Sequence, residues 1–352
     1  MVIPEGPRSA DAGAPSDGKA VLITGAGGSI GSALAKAVLA QRPRKVVLVD
    51  HSEASLYEID AELSREAGPH VSILGDVGDK ELLAEVFEEH RPETIFHAAA
   101  FKQVPMMEQN PIAAVKNNAL ATQTLIGVAR SFGTSRVVLV STDKAVRPAS
   151  VMGASKRVAE RIVLARCSDG RALRLGNVLE SRGSVAPLFR RQAEAGGPLT
   201  VSHPDVRRYF LTLDEAVDLL LRTERMPFPG VFVPVLRPQV RILELARDLV
   251  RASGNRDVDI VFTGLRPGDK MSEDVLRDGE VATATADPGL LHVEDSASSE
   301  EGFSEQLAVL EECAARRDEA GLIRALGALV PDYRPSVGLP ARGPLLDVGR
   351  EQ

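Results

Sequence analysis

From residue 19 onward, short apolar runs alternate with stretches whose apolar positions recur at helical spacing. The runs at 20–24, 45–50, 71–75, 94–98, 136–141 and 171–174 predict buried strands. Helices are predicted between them at 29–40, 52–67, 80–90, 111–132 and 154–166. Strand and helix in unbroken alternation predict an α/β fold, a Rossmann-type doubly wound parallel sheet spanning 19–176. After Gly176 the rhythm loosens and Pro and Gly become frequent. Helices at 213–225 and 243–252 flank a short strand at 230–234, so 177–295 reads as a smaller C-terminal region with segments returning to the sheet. Residues 1–18 read as a disordered leader, and 296–352 as a tail with one helix, 302–315, that becomes loose from Pro331.

Composition narrows the class. The chain has 352 residues, 44% hydrophobic and 26% charged, with a net charge of −7. That balance suits a globular enzyme and supplies no basic field for nucleic acid or an anionic membrane. No run reaches the roughly 18 apolar residues that a membrane span needs, and the start of the chain has no apolar signal-peptide core. The two cysteines, Cys167 and Cys313, lie far apart, so neither a disulfide scaffold nor a Cys-rich metal site is expected. A cytoplasmic location follows by default.

The first predicted strand runs into Thr24-Gly25-Ala26-Gly27-Gly28-Ser29-Ile30-Gly31. Glycines at 25, 28 and 31 allow a tight turn and close backbone approach to a pyrophosphate. The helix opening at Ser29 and Ile30 offers amide hydrogens and the positive end of its dipole. Asp50 ends the second strand, placed to bond ribose hydroxyls and to repel a 2′-phosphate. NAD is therefore expected rather than NADP, although Arg42 and Arg44 are close in sequence. Asp76 and Val77, after the third strand, are placed to touch adenine.

The stretch from Ser141 to Lys156 carries the candidate chemistry. In short-chain dehydrogenases a Tyr base stands four residues before a Lys on one helical face. Lys156 is present, but the earlier position is Met152, which cannot carry a proton. His97 reads as structural, having no metal or nucleophile partner at a suitable spacing.

The blocks GAGGSIGS, HAAAFKQVPMMEQNP, STDKAVRPASVMGASKR, LRLGNVLESRGSVAPLF, RRYFLTLDEAV and GLRPGDK, in this order, resemble the UDP-N-acetylglucosamine 4,6-dehydratases of polysaccharide biosynthesis. A subset of that family carries Met at the Tyr position. The resemblance implies C4 oxidation, loss of water across C5 and C6, and hydride return to C6, with retention at C5. It implies Asp143 as the acid for the C6 oxygen and Lys144 as the C5 base, with a pKa lowered by burial or by Lys156. Thr142 would bond the C4 oxygen; the C4 proton would leave through Thr142, a water or Lys156. Ala98 and Ala99 would border the cofactor, and Lys156 would hold its ribose. The UDP-sugar would meet Lys102, Asn177, Arg208 and Arg266, with Thr200 in the segment facing the uracil edge. Departures at Phe101, Ala121-Thr122, Glu180, Arg207-Arg208 and Asp269 leave the hexose open, and Glu180 and Arg182 fall near its pocket. Larger members carry an N-terminal membrane region that is not seen here, which suggests a soluble pathway. A homo-oligomer is expected, with 111–132 and 154–166 forming an isologous bundle. Two other readings stand beside this one: a UDP-sugar 4-epimerase or oxidoreductase, and a catalytically inactive protein that binds NAD or a nucleotide sugar.

Overall fold

The computed structural model describes residues 16–66, 68–253, 258–295 and 301–335. Its strands are β1 (Ala20–Thr24), β2 (Lys45–Asp50), β3 (His70–Leu74), β4 (Thr94–His97), β5 (Arg136–Thr142), β6 (Asp169–Leu175), β7 (Asn177–Val178), β8 (Leu199–Val201), β9 (Arg207–Arg208), β10 (Phe210–Leu211), β11 (Gly230–Pro234), β12 (Val240–Arg241), β13 (Ile260–Phe262), β14 (Glu280–Ala284) and β15 (Leu290–Asp295). The α-helices are α1 (Ser29–Leu39), α2 (Glu53–Arg65), α3 (Lys80–His90), α4 (Val104–Gln109), α5 (Pro111–Val115), α6 (Ala121–Ser131), α7 (Val151–Arg166), α8 (Val185–Glu194), α9 (Leu213–Glu224), α10 (Ile242–Ser253), α11 (Phe303–Ala315) and α12 (Glu319–Leu329).

One nine-stranded sheet runs in the order β14-β15-β11-β6-β5-β4-β1-β2-β3. From β3 to β11 every neighbour is parallel; β15 and β14 close the far edge antiparallel. Strands β1 and β4 are buried at every residue because helices cover both faces of the sheet. The order of strand addition reverses between β1 and β4, which opens a crevice at the carboxyl ends of these two parallel strands.

Helix starts follow local chemistry. Ser52, Asp79 and Ser150 each accept a first-turn backbone N–H, and Thr212 with Glu215 forms a reciprocal capping box on α9. The Ser150 cap starts α7 at Val151, three residues before the pattern alone suggests, and so places Met152 within the helix. The single helix expected at 111–132 is instead α5, a π-helical turn at Lys116–Leu120, and α6. An extra residue in that turn carries Asn118 inward. Its side chain holds the Phe101 backbone on both sides, with bonds of 2.8 and 3.0 Å, and reaches Ser155.

The tail is more ordered than its composition suggests. A second helix, α12, follows α11, and Leu307, Leu310, Leu322, Leu326 and Leu329 are fully buried in the core beneath α5 and α7. Burial of each leucine contributes about 1.5–3 kcal/mol. One face of α5 and α7 is thus covered by α12 of the same chain. Tyr333 is also buried, and the Arg334 N–H donates to the Pro148 carbonyl, so the chain is pinned just past Pro331, at 333–334. At the other end the Ser16 N–H is held by Gln41 and the Gly18 N–H by Arg42, so the last residues of the expected leader form a bonded turn. Residues 1–15 and 336–352 lie outside the described residues. No helix among the described residues is long and apolar enough to cross a membrane.

Candidate active site

The glycine-rich turn joins β1 to α1 at one lip of the crevice. Gly25 adopts φ +67°, and a Cβ there would lie 2.6 Å from the Ala99 Cα. A Cβ on Gly31 would sit 2.0 Å from the Gly25 carbonyl oxygen, so neither position accepts a side chain. Gly28 caps α1 without a side-chain bond, which leaves the first-turn N–H groups of Ser29 and Ile30 facing outward. Asp50 is buried; its Oδ2 accepts the Gly27 N–H at 2.9 Å and its Oδ1 the Ser52 N–H at 2.8 Å. Each oxygen keeps a second lone pair for a ribose hydroxyl. Ala98 and Ala99 form the opposite lip, after β4. Val77 is buried and Asp76 is exposed at the end of β3, where its carboxylate accepts the Gly78 N–H.

Helix α7 packs on β5 and on the 3₁₀ turn Asp143–Ala145, so closely that a Cβ on Gly153 would lie 2.2 Å from the Lys144 carbonyl oxygen. Asp143 is fully buried. Its Oδ1 accepts the Thr142 hydroxyl at 3.0 Å and the Lys144 ammonium at 2.9 Å, while Oδ2 has no partner among the described residues. Lys144 also donates to Asn177 Oδ1 at 2.8 Å and lies 3.6 Å from Glu273. Burial disfavours the charged Lys144, but Asp143 and Glu273 outweigh it and hold its pKa above the ordinary lysine value. The lowered pKa expected for Lys144 is therefore not found in this state. It falls instead on Lys156, pushed down to about 8 by burial against the weaker pull of Glu160. Lys156 Nζ has no hydrogen-bond partner among the described residues. Met152 is 3% exposed and belongs to the main apolar core.

His97 is structural, as expected. Thr122 spends its proton on the Asn118 carbonyl, so His97 Nε2 donates to Thr122 and Nδ1 accepts from Thr24. Burial, aided by the Lys156 charge, lowers its pKa to about 3.

The expected substrate residues fall into three places. Asn177 and Arg208 join the Lys144 cluster, Arg208 through Glu273 at 3.6 Å. Lys102 is exposed beyond β4 and donates to the Ser181 hydroxyl at 3.1 Å. The third place is the β8–β13 pair and the loop that follows it: Gln192 holds the Thr200 hydroxyl on β8, and in the loop after β13 the exposed Arg266 pairs with Asp269 at 3.0 Å. A cavity of about 550 Å³ beside Arg207, Arg237 and Leu276 takes in Arg207 and Tyr209 of the RRYF block but none of the candidate catalytic, cofactor or substrate residues. Sequence reasoning missed Glu273, 3% exposed, which gathers Lys144, Arg208 and Lys270. Its signal was faint: an acidic residue just beyond the GLRPGDK block. It also missed the buried lattice below the site, in which Arg174 is sandwiched between Glu160 and Glu280 and Ser141 donates to Glu160.

The residues present fit a dinucleotide. A turn that a Cβ would fill, uncapped amides, an anchored carboxylate with free lone pairs, and a buried lysine without a partner among the described residues all suit it.

Comparison with known proteins agrees with this geometry. Residues 21–295 match the family described as polysaccharide biosynthesis protein. The chain is 44% identical over 274 residues to the capsular polysaccharide biosynthesis protein CapD of Staphylococcus aureus, covering 75% of this chain and 46% of that protein. It thus spans about half the length of that relative. A UDP-glucose 4-epimerase of Rickettsia rickettsii is 32% identical over 279 residues, 76% of this chain and 80% of the relative. Among solved structures, Pen from Bacillus thuringiensis is 27% identical with a TM-score of 0.75, covering 81% of this chain and 90% of that one. MoeE5, solved with UDP-glucose and NAD, is 25% identical with a TM-score of 0.63, covering 73% and 89%.

Proposed function

Because the chain belongs to the polysaccharide biosynthesis protein family, we propose that it is an NAD-dependent nucleotide-sugar 4,6-dehydratase acting on a UDP-N-acetylhexosamine, UDP-N-acetylglucosamine first. The observation that carries this reading is the Asp143–Lys144 pair at the end of β5, its carboxylate fully buried, with a buried and partnerless Lys156 on the adjoining helix α7. An elimination needs an acid and a base held together, whereas oxidation at C4 needs only one base for the hydroxyl proton. The crystallised similarity of MoeE5, bound to NAD and UDP-glucose, supports the cofactor and the nucleotide.

When bound, NAD supplies the acceptor for the C4 hydride and its return to C6. Lys156, with a pKa of about 8, takes the C4 hydroxyl proton in its neutral form, since Met152 has no proton to exchange. The Lys144–Asp143 pair then moves its shared proton along the 2.9 Å bond, giving a neutral amine and a carboxylic acid. Lys144 accepts the C5 proton while Asp143 gives its own to the C6 oxygen, which leaves as water. Lys144 returns a proton to C5 as C6 is reduced. The proton gained by Lys156 and the one lost by the pair balance through solvent. Thr142, donating to Asp143 and accepting the Lys144 backbone N–H, keeps one lone pair for the C4 hydroxyl. Return of the proton by the lysine that removed it accounts for retention at C5. Arg208 and Asn177 sit at the same cluster and serve the diphosphate, with Lys102, Thr200 and Arg266 on the outer contacts.

A second reading, 4-epimerisation, is favoured by the 32% identity to a UDP-glucose 4-epimerase. One experiment separates the two: incubation with UDP-N-acetylglucosamine, UDP-N-acetylgalactosamine or UDP-glucose in deuterium oxide, followed by proton NMR. Dehydration gives a new C6 methyl signal and deuterium at C5. Epimerisation leaves C6 unchanged and inverts the C4 couplings. An unchanged spectrum with all three, despite bound NAD, sinks both and leaves a non-catalytic binding protein.

A further inference from the structure

The segment 179–184, which leaves β7, spans the crevice between β1 and β4 and is fastened to both lips. On the β4 side, Lys102 Nζ donates to Ser181 Oγ at 3.1 Å and Gln103 Nε2 to the Gly183 carbonyl at 3.4 Å. On the β1 side, the Arg182 backbone N–H donates to Ser29 Oγ at 3.0 Å. The Arg182 guanidinium reaches the Gly27 carbonyl at 3.2 Å and Ser55 Oγ at 2.8 Å, and pairs with the Glu58 carboxylate. Ser29 opens the helix whose amides face the pyrophosphate position, and Gly27 is the residue held by Asp50. A single side chain therefore ties a loop from the sugar side to the turn that cradles the dinucleotide.

The geometry of the crossing is built into the backbone. Glu180 and Gly183 both take positive φ, +61° and +73°, so the chain bends twice within four residues. A Cβ on Gly183 would lie 2.3 Å from Gln103 Nε2, so the loop sits directly against the β4 lip. The Arg182 side chain is 59% exposed and Glu58 62%, so the fastening lies at the surface. Ion pairs in such positions are weak and reversible, which suits a closure that must open.

We propose that residues 179–184 form a strap over the dinucleotide crevice and that Arg182 is its bolt, retaining the cofactor through a redox-neutral cycle. The proposal rests on the reading of the β1–β4 crevice as the NAD site. Arg182 is a positioning residue: it acts by holding Gly27, Ser29 and Ser55 to the strap. A cycle that returns its hydride to the same sugar gains nothing from cofactor exchange, and loss of the reduced form in mid-cycle would strand the keto-sugar.

The test is stopped-flow release of bound NADH, followed by loss of its fluorescence on mixing with excess NAD+, for wild type, Arg182→Ala and Arg182→Lys. Removing one charge-assisted contact set is expected to speed release about tenfold or more, with Arg182→Lys between the two. Thermal melting of the free protein should hardly change. If Arg182→Ala does not fold, Ser55→Ala with Glu58→Gln removes the bolt from the other side and should speed release likewise. Wild type that binds NADH, with release unchanged in these variants, overturns the strap. Wild type that binds no NADH overturns the cofactor reading, and the strap with it.

Discussion

The Lys144 ammonium donates to Asp143 across 2.9 Å, and the carboxylate that receives it is fully buried. That contact raises the Lys144 pKa and makes the two residues a single proton-carrying unit, in which removing either member disables the other. Asp143→Asn and Lys144→Met are each expected to lower dehydration by roughly 10²–10⁴-fold. Oxidation at C4 should survive in both, visible as nicotinamide reduction in a single turnover without a C6 methyl product. Dehydration at near-normal rate in either variant would remove the pair from the mechanism.

Lys156 gives the oxidation step a pH dependence. Its folded pKa of about 8 lies below the ordinary 10.5, so the neutral amine becomes the major form as pH rises through about 8. Single-turnover reduction of NAD should therefore climb between pH 7 and 9 and then level off. Lys156→Arg, which stays charged, should be slow across this range. A flat wild-type profile would transfer the C4 proton to Thr142 or water.

His97 gives stability a pH dependence of its own. Its folded pKa, about 3, lies below the ordinary 6.5 because the ring is buried and faces the Lys156 charge. Between those values the unfolded chain holds a proton that the folded chain does not, so stability is full above 6.5 and falls as pH drops toward 3. Urea midpoints measured from pH 7 to 4.5 should decline in wild type and decline less in His97→Gln. Equal slopes would mean that other groups govern acid sensitivity.

Arg174 is fully buried and meets Glu160 at 3.0 Å and Glu280 at 2.6 Å. Arg174→Met leaves Glu160 to Arg157 and Ser141 and Glu280 to Arg277 and Arg157, and is expected to cost about 3 kcal/mol in urea unfolding. Replacing Arg174, Glu160 and Glu280 together by apolar residues should cost much less than the sum of the single changes. A loss below about 1 kcal/mol for Arg174→Met would show that water reaches this lattice.

Met152 can be tested by restoring the missing hydroxyl. The site is 3% exposed, and a Tyr ring there must displace core neighbours. Met152→Tyr is expected to destabilise by about 1–3 kcal/mol without raising the oxidation rate. A faster C4 oxidation, read by nicotinamide absorbance, would argue that Lys156 is a poor substitute.

The central strands, the glycine turn and the four-residue spacing of Met152 and Lys156 were all legible in the amino-acid order. Each depends on local physics: continuous apolar runs make buried parallel strands, glycine permits a turn no other residue allows, and helical periodicity places neighbours on one face. Asp50 was equally readable, because a strand end at that distance from the turn has little freedom. The protonation states were not. Lys144 and Lys156 are the same residue type twelve positions apart, yet one is held charged by Asp143 beside it and by Glu273 from far along the chain while the other is left without a partner. Burial and long-range pairing decide a pKa, and neither is visible until the chain has folded. The same reason applies to the C-terminal helices, whose amphipathic pattern named no partner until α5 and α7 supplied one. It applies to Arg174 and Arg182 as well, since an arginine in sequence reads as surface charge and only tertiary contacts make one a core member and the other a clasp.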